Sequence, residues 1–388
     1  MRLRHKVLGA VLGALLVAGL AVFFFVVPPA VDRSMNGVLM RPPFQVSARA
    51  KALHRRLVIA DLHDDALLWS RDLLERHDYG HADLPRLQEG RTAVQVFATV
   101  TKSPRGLNFD RNPSDSDTIT ALAIAQRWPP RTWSSLLERA LYQGGRLHAA
   151  AAASGGRMQA VHTRRELQAV LDAGGGRLAA LLATEGLHPL EGRLENLDRL
   201  YDAGFRMAGL THFFDNEVGG SAHGMAKGGL TPFGKAVVRK LEQKKILVDL
   251  AHASPRVVDD VLAMARRPVI VSHTGVQATC PGPRNLGDDH LERVAATGGV
   301  IGIGYFPGAV CGVDVSAIVR AIRHAVSVAG IGHVALGSDF DGATRTTFDA
   351  TGLPVLTDAL LRAGFDEQQI AALMGGNVLR VLLANLPD

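Results

Sequence analysis

The chain has 388 residues, of which 47% are hydrophobic, 21% charged and 5% aromatic, with a formal net charge of +6. This is globular composition with ample apolar material for a large core, and the length suits two domains or one barrel-sized domain. The 43 basic residues are spread along the chain and aromatics are few, so nothing offers nucleic acid a basic stripe or a stacking platform.

In chain order, Arg2, Arg4 and Lys6 precede VLGAVLGALLVAGLAVFFFVV, residues 7–27, a run of 21 residues without a charge. At about 1.5 Å per residue it reaches across a hydrocarbon core of roughly 30 Å. A cleaved signal peptide, the competing reading, has a shorter apolar region and a small-x-small exit. This run ends bulky, in Phe-Phe-Phe-Val-Val-Pro-Pro, which predicts an uncleaved transmembrane signal anchor. The basic residues in 1–6 keep the N-terminus cytoplasmic and put everything after about residue 30 outside the inner membrane, periplasmic or otherwise extracytoplasmic. Residues 28–50, rich in proline and polar residues, read as a linker ahead of a single domain over 51–388.

Within that domain short apolar runs alternate with helical patterns. The strand candidates are 56–64, 92–100, 178–186, 205–213, 246–254, 268–275, 299–306 and 334–342, eight in all. Near-continuous hydrophobicity suits parallel strands buried on both faces. TPFGKAVVRKLEQKK, 231–245, opens with Thr231 as cap and Pro232 at the first helical position, then shows a stripe of Phe233, Val237, Val238 and Leu241. SPRVVDDVLAMARR, 254–267, repeats the Ser-Pro start. Eight strands alternating with helices predict a (β/α)8 TIM-type barrel. An insert at 101–160 follows the second strand, and the glycine-rich GGSAHGMAKGG, 219–229, reads as a mobile lid.

The polar residues at the strand ends form a set. They are His63 and Asp65 after the first run, Glu185 after the third, His212 after the fourth, His252 after the fifth, His273 after the sixth and Asp339 after the eighth. Taken singly, a strand-end histidine is more often structural, and SDFDG alone makes an Asx turn. Jointly they converge on the C-terminal mouth of a barrel, where barrel active sites sit. His63 and Asp65, two apart, point to one side of a strand while Asp64 points elsewhere. Imidazole with carboxylate and no thiolate is a ligand set for zinc or a neighbouring divalent ion, and burying so many carboxylates without cations would be prohibitively costly.

The segments DLHDD, HADLPRLQEGRTAVQVF, ATEG, LTHFFDNE, LTPFG, VDLAHAS, PVIVSHTG, PRNLGDDHL, GSDFDG and GGNVLRVL occur in order from about residue 50 to 385. In this the chain resembles the renal (membrane) dipeptidase family of zinc metallopeptidases. The resemblance implies two Zn2+ per chain, one held by His63, Asp65 and a bridging Glu185, the other by Glu185, His252 and His273. It further implies that His212 contacts the substrate carbonyl, Arg284 the carboxylate of a small dipeptide, and Asp339 handles protons. It also implies a disulfide between Cys280 and Cys311, which an even cysteine count in an exported chain independently suggests. The family's first motif is usually Asp-Gly-His-Asn-Asp, and here Leu62 and Asp64 replace the Gly and Asn. On spacing alone Arg284 is equally a surface arginine in a turn after Pro283. Two alternatives stay open: the same barrel and metals acting on another amide, lactone or peptide-like metabolite, and a non-catalytic binding protein on the same fold. A homodimer is an open alternative to a monomer.

Overall fold

An apolar run covered on both faces and bounded by polar turns meets the demands of a parallel strand, and the eight runs all become such strands. The computed structural model describes residues 2–388. Its strands are β1 (Ile59–Asp64), β2 (Thr92–Val100), β3 (Met158–Ala160), β4 (Leu178–Glu185), β5 (Phe205–Gly209), β6 (Leu247–Asp249), β7 (Ile270–Thr274), β8 (Val300–Ile303) and β9 (Val334–Leu336). Every pairing among them is parallel. The ring β2-β1-β9-β8-β7-β6-β5 closes through β4, which pairs with both β5 and β2. This is the expected (β/α)8 barrel. The extra strand β3 lies outside the ring and pairs only with the first residues of β4, Met158 opposite Leu178.

The insert after β2 carries the short helix Ile119–Ala125 and the long helix Leu136–Ala153. A Cβ at Gly144 would meet Leu182 and Phe205 at 3.2–3.3 Å, so the missing side chain lets the long helix settle directly on the barrel wall. The capping residues act as their sequence suggests: Thr231 accepts from the Gly234 amide and Ser254 from the Val257 amide. One apolar cluster runs from strand residues such as Leu182 and Ile301 to helix residues such as Val237, Val258 and Ile322.

Two expectations need correction. Residues 28–50 are not a free linker. The N-terminal helix continues past the apolar run, through a π-helical turn at Val22–Val26, into the helix Val27–Met35. Pro28 and Pro29 follow directly on that π-helical turn; lacking amides, they interrupt the backbone ladder inside the continuous helix, where such a turn takes up the irregularity. The Asp32 carboxylate then takes the Arg71 Nε–H at 2.8 Å, with both side chains buried. Beyond it the chain lies extended on the barrel, the Leu39 and Met40 amides donating to the Thr346 and Thr347 carbonyls. Among the described residues one helix, Arg4–Met35, is long and apolar enough to cross a membrane.

The glycine-rich stretch 219–229 is likewise not a mobile lid. Gly219 bridges to Leu230 and Ser221 to Ala253, and the Ser221 hydroxyl donates to the His212 carbonyl. Ser221 and His223 are fully buried. Its glycines answer to close packing: a Cβ at Gly220 would fall 2.3 Å from the Gly228 carbonyl oxygen, and one at Gly224 would strike the Asp215 carboxylate.

Candidate metal centre

The ladders stop before several of the side chains that matter. Glu185 is the last residue of β4, and His63 and His273 lie within β1 and β7. His212, His252 and Asp339 each sit three residues beyond the ends of β5, β6 and β9. His252 and Asp339 have φ of 61° and 60°, left-handed conformations that L-residues adopt at a cost of order 1–3 kcal/mol and that cluster at functional sites. Asp65 has also left the strand, at φ −102° and ψ 20°. Its approach to His63 therefore comes from the turn, with its amide held by the Phe340 carbonyl at 2.8 Å, and not from strand alternation.

All the expected residues meet at one mouth, around the Glu185 carboxylate. Its Oε1 lies 3.1 Å from His252 Nε2, 3.4 Å from His273 Nε2 and 3.5 Å from His63 Nε2; its Oε2 lies 3.4 Å from His212 Nε2. His63 Nε2 is also 3.5 Å from Asp65 Oδ1, and Asp339 groups with these two. Each of these side chains is buried. His212 stands as near the shared carboxylate as the three expected histidine ligands do, so distance alone does not set it apart.

Electrostatics give the cluster its sign. Burial, reinforced by Asp65, holds Glu185 well above the usual carboxylate range, and burial holds His212, His252 and His273 well below the ordinary imidazole value. Burial likewise pushes Asp339 up to about 7, with the His63 and Arg284 charges opposing it and Asp65 adding to it. At His63 burial works against protonation, but Asp65 and Glu185 outweigh it and push the imidazole up to about 10. The pocket attracts positive charge. His63 Nε2 and Asp65 Oδ1 have no hydrogen-bond partner among the described residues, and the two neutral nitrogens His252 Nε2 and His273 Nε2 face each other at 3.0 Å. Unpartnered imidazole and carboxylate atoms gathered around one carboxylate fit a divalent cation, which would stand in for the positive charge that His63 otherwise takes as a proton. Ser272 Oγ lies 2.8 Å from His273 Nδ1 and so turns Nε2 toward the centre.

Arg284 is buried, which removes the surface-turn alternative. Its Nη2 donates to the His273 carbonyl at 2.9 Å, its Nε has no partner, and no carboxylate lies within ion-pair distance among the described residues. It lines a cavity of about 490 Å³ together with Asp65, Glu185, His212, His252 and Asp339. Cys280 and Cys311 are joined in a disulfide with Cα atoms 5.2 Å apart, and the segment bearing Arg284 lies within the loop it closes.

Other residues support the site without having been singled out by their sequence. Asp61 accepts from the Ser338 amide at 2.8 Å and from the Ser338 hydroxyl, which ties β1 to the turn carrying Asp339. Asp249 accepts from the Ala251 and Ser272 amides, fixing the turn that carries His252 against the strand that carries His273. Asp64 points away from the centre; its Oδ1 accepts from the Ala66 amide at 2.6 Å, while burial and Asp341 hold its carboxyl well above the usual range. When protonated, Asp64 has the shape of the asparagine it replaces. The signal for Asp61 was the DLHDD pattern itself, but Asp249 inside VDLAHAS gave none.

The membrane dipeptidase profile (peptidase family M19) matches residues 47–385. The chain belongs to that family. This dipeptidase is a hydrolase of the metallopeptidase kind, which sets aside the reading as a non-catalytic binding protein. It is 28% identical to the dipeptidase aclJ of Aspergillus oryzae, over 84% of this chain and 78% of the relative. It is 29% identical to the dipeptidase tcpJ of Claviceps purpurea, over 82% and 71%. Among solved structures, a metallopeptidase from Rhodobacter sphaeroides bound to a phosphinate mimic of L-Ala-D-Ala is similar at 25% identity and a TM-score of 0.69, covering 85% of this chain and 99% of that one. The probable dipeptidase PvdM from Pseudomonas aeruginosa shares the fold, with a TM-score of 0.73 at 19% identity over 87% and 97%.

Proposed function

We propose that this member is a membrane-anchored, zinc-dependent dipeptidase whose barrel faces the extracytoplasmic side. The observation that carries the reading is the joint presence, in one cavity, of a carboxylate ringed by four imidazole nitrogens and a buried guanidinium without an acidic partner. His63, Asp65 and Glu185 would hold one ion, and Glu185, His252 and His273 the other. Nitrogen and oxygen donors without thiolate suit zinc. When bound, the pair supplies Lewis-acid polarisation of the scissile carbonyl and acidifies water at neutral pH. Arg284 pairs its free donors with the C-terminal carboxylate and so selects dipeptides over longer chains. His212 donates to the oxygen on which charge develops. Asp339, buried and poised near neutral, takes the proton of the attacking water and passes it to the leaving amine. The phosphinate-bound relative, similar across nearly its whole length, supports a dipeptide as the substrate class.

The test is hydrolysis of a dipeptide panel, with L- and D-residues at the second position, by protein whose metal content is measured in parallel. We expect close to two zinc-class ions per chain, loss of activity with chelator, recovery with Zn2+, and lower metal content in Asp65→Ala and His252→Ala. A fully active metal-free preparation would exclude the mechanism. Activity confined to lactones or other amides would favour the alternative substrate class.

A further inference from the structure

The cavity above the metal centre is larger and greasier than a pair of small residues needs, and part of its wall comes from outside the family domain. Its volume of about 490 Å³ falls in the range of roughly 300–1,000 Å³ that buries drug-sized ligands. Val31 and Met35, on the last turns of the N-terminal helix, line it, yet both precede residue 47, where the family match begins. Val31 packs beside Leu68 and Trp69, which follow β1, Val100, which closes β2, and Ile119 of the insert. Met35 lines the same cavity and remains 42% exposed.

This end of the helix is fixed, not draped. Asp32, between the two wall residues, is buried and bonded to Arg71 and to Asn36 Nδ2, each at 2.8 Å. Arg71 in turn reaches Asp341 at 2.7 Å, two residues beyond Asp339. On the outer face Arg33 makes a two-pronged contact with Asp78 at 2.9 and 3.0 Å. The wall is thus referenced to the same turn that carries Asp339.

Ring order then says which part of a substrate meets it. From β2 to β7 the path is β2-β1-β9-β8-β7 one way and β2-β4-β5-β6-β7 the other, four steps in each direction. Arg284, which follows β7, therefore lies across the mouth from the β1–β2 side on which Val31 packs. A dipeptide with its carboxylate on Arg284 directs its amino-terminal residue toward the helix.

We propose that Val31 and Met35 are specificity-determining residues, and that they select dipeptides whose amino-terminal residue carries a large apolar side chain. The proposal rests on the dipeptidase reading, since Arg284 sets the orientation. It makes the membrane-proximal end of the helix part of the substrate pocket as well as a mount. An apolar side chain of a few methylenes is discriminated by factors of about 10–200 in a well-formed pocket, which is the scale the helix wall can supply.

The test uses the full chain, zinc-loaded, in detergent micelles, and reads kcat/KM for Phe-Ala, Leu-Ala and Ala-Ala. Wild type should favour Phe-Ala over Ala-Ala by at least about tenfold. Val31→Ala and Met35→Ala should each lower that ratio by about fivefold to tenfold, and Val31→Trp, which fills the space, should lower it further. Leu20→Ala, on the same helix away from the pocket, should leave the ratio unchanged. Metal content and melting temperature, measured on each variant, report folding separately from selectivity. Ratios within twofold of wild type in all three pocket variants, with dipeptides still hydrolysed, would overturn the helix-wall proposal and leave the dipeptidase reading standing. Failure of the zinc-loaded wild type to hydrolyse any dipeptide would overturn the dipeptidase reading, and the proposal with it.

Discussion

Arg284 is the residue whose role the fold constrains most sharply. A buried guanidinium with an unpartnered Nε and, among the described residues, no carboxylate within ion-pair distance is an expensive thing to fold unless a ligand completes it. If that ligand is the substrate's carboxylate, Arg284→Ala should leave zinc content unchanged and cut kcat/KM for dipeptides by about two to three orders of magnitude, on the scale of a charge-assisted bidentate pair. Amidating the substrate's C-terminus should cost wild type a similar factor and the variant little more, because both changes remove one interaction. Losses that simply add would show that Arg284 reads something else. At this scale the sequence said much about which residues, and less about how they are held. His63, Glu185 and His273 stood at the ends of apolar runs and could be read from there. The ties made by Asp61 and Asp249 join segments far apart in the chain, and no local pattern announces such a bond.

Among the elements, legibility followed the length of the apolar run. β2 spans Thr92–Val100, the same residues as its run, because nine residues in sequence meet a covered face on either side. β6 and β9 are only three residues long, and the polar remainder of each run has turned away to present His252 and Asp339. The sequence marks such residues as the end of a strand but does not reveal the left-handed backbone that aims them. The glycines of 219–229 misled for a related reason: a small residue signals either freedom or a close neighbour, and here it signals the neighbour. Cys280 and Cys311 cross-link the ends of the segment that bears Arg284. Closing 31 residues should stabilise the protein by about 3–4 kcal/mol in the chain-entropy model, so reduction should lower the melting temperature. Loosening the segment that bears Arg284 should raise KM more than it lowers kcat. Two titratable thiols in unreduced, denatured protein would refute the bond.

For the whole molecule, the barrel and its N-terminal helix share a buried ion pair, so the boundary between them does not fall where composition changes. Prolines and polar residues after position 27 resemble a leash, yet Asp32 is committed to Arg71 inside the folded body. A protein beginning at residue 28 keeps that pair, whereas one beginning at residue 37 leaves Arg71 without one of its two carboxylates. Removing one partner of a buried pair typically costs about 3–5 kcal/mol. The shorter protein should therefore melt several degrees lower, and Asp32→Ala in the longer one should reproduce the drop. Equal melting temperatures would show that the helix end is an ornament on the barrel.

If the N-terminal helix is the membrane anchor proposed above, its continuation to Met35 bears on where the enzyme works. A flexible stretch of the length of 28–50 would let a barrel wander over about 25 Å from its membrane root. On the proposed anchoring, with 7–27 in the hydrocarbon, the eight further residues to Met35 would instead rise only about 12 Å and end at the rim of the cavity. The height of the mouth above the bilayer would then be a fixed dimension of the protein, close to the lipid headgroups. An enzyme mounted in this way meets its substrates as a population spread over a surface. Its rate would follow how densely amphiphilic dipeptides crowd that surface, and diluting the lipid would slow it even when the number of substrate molecules in the vessel stayed the same.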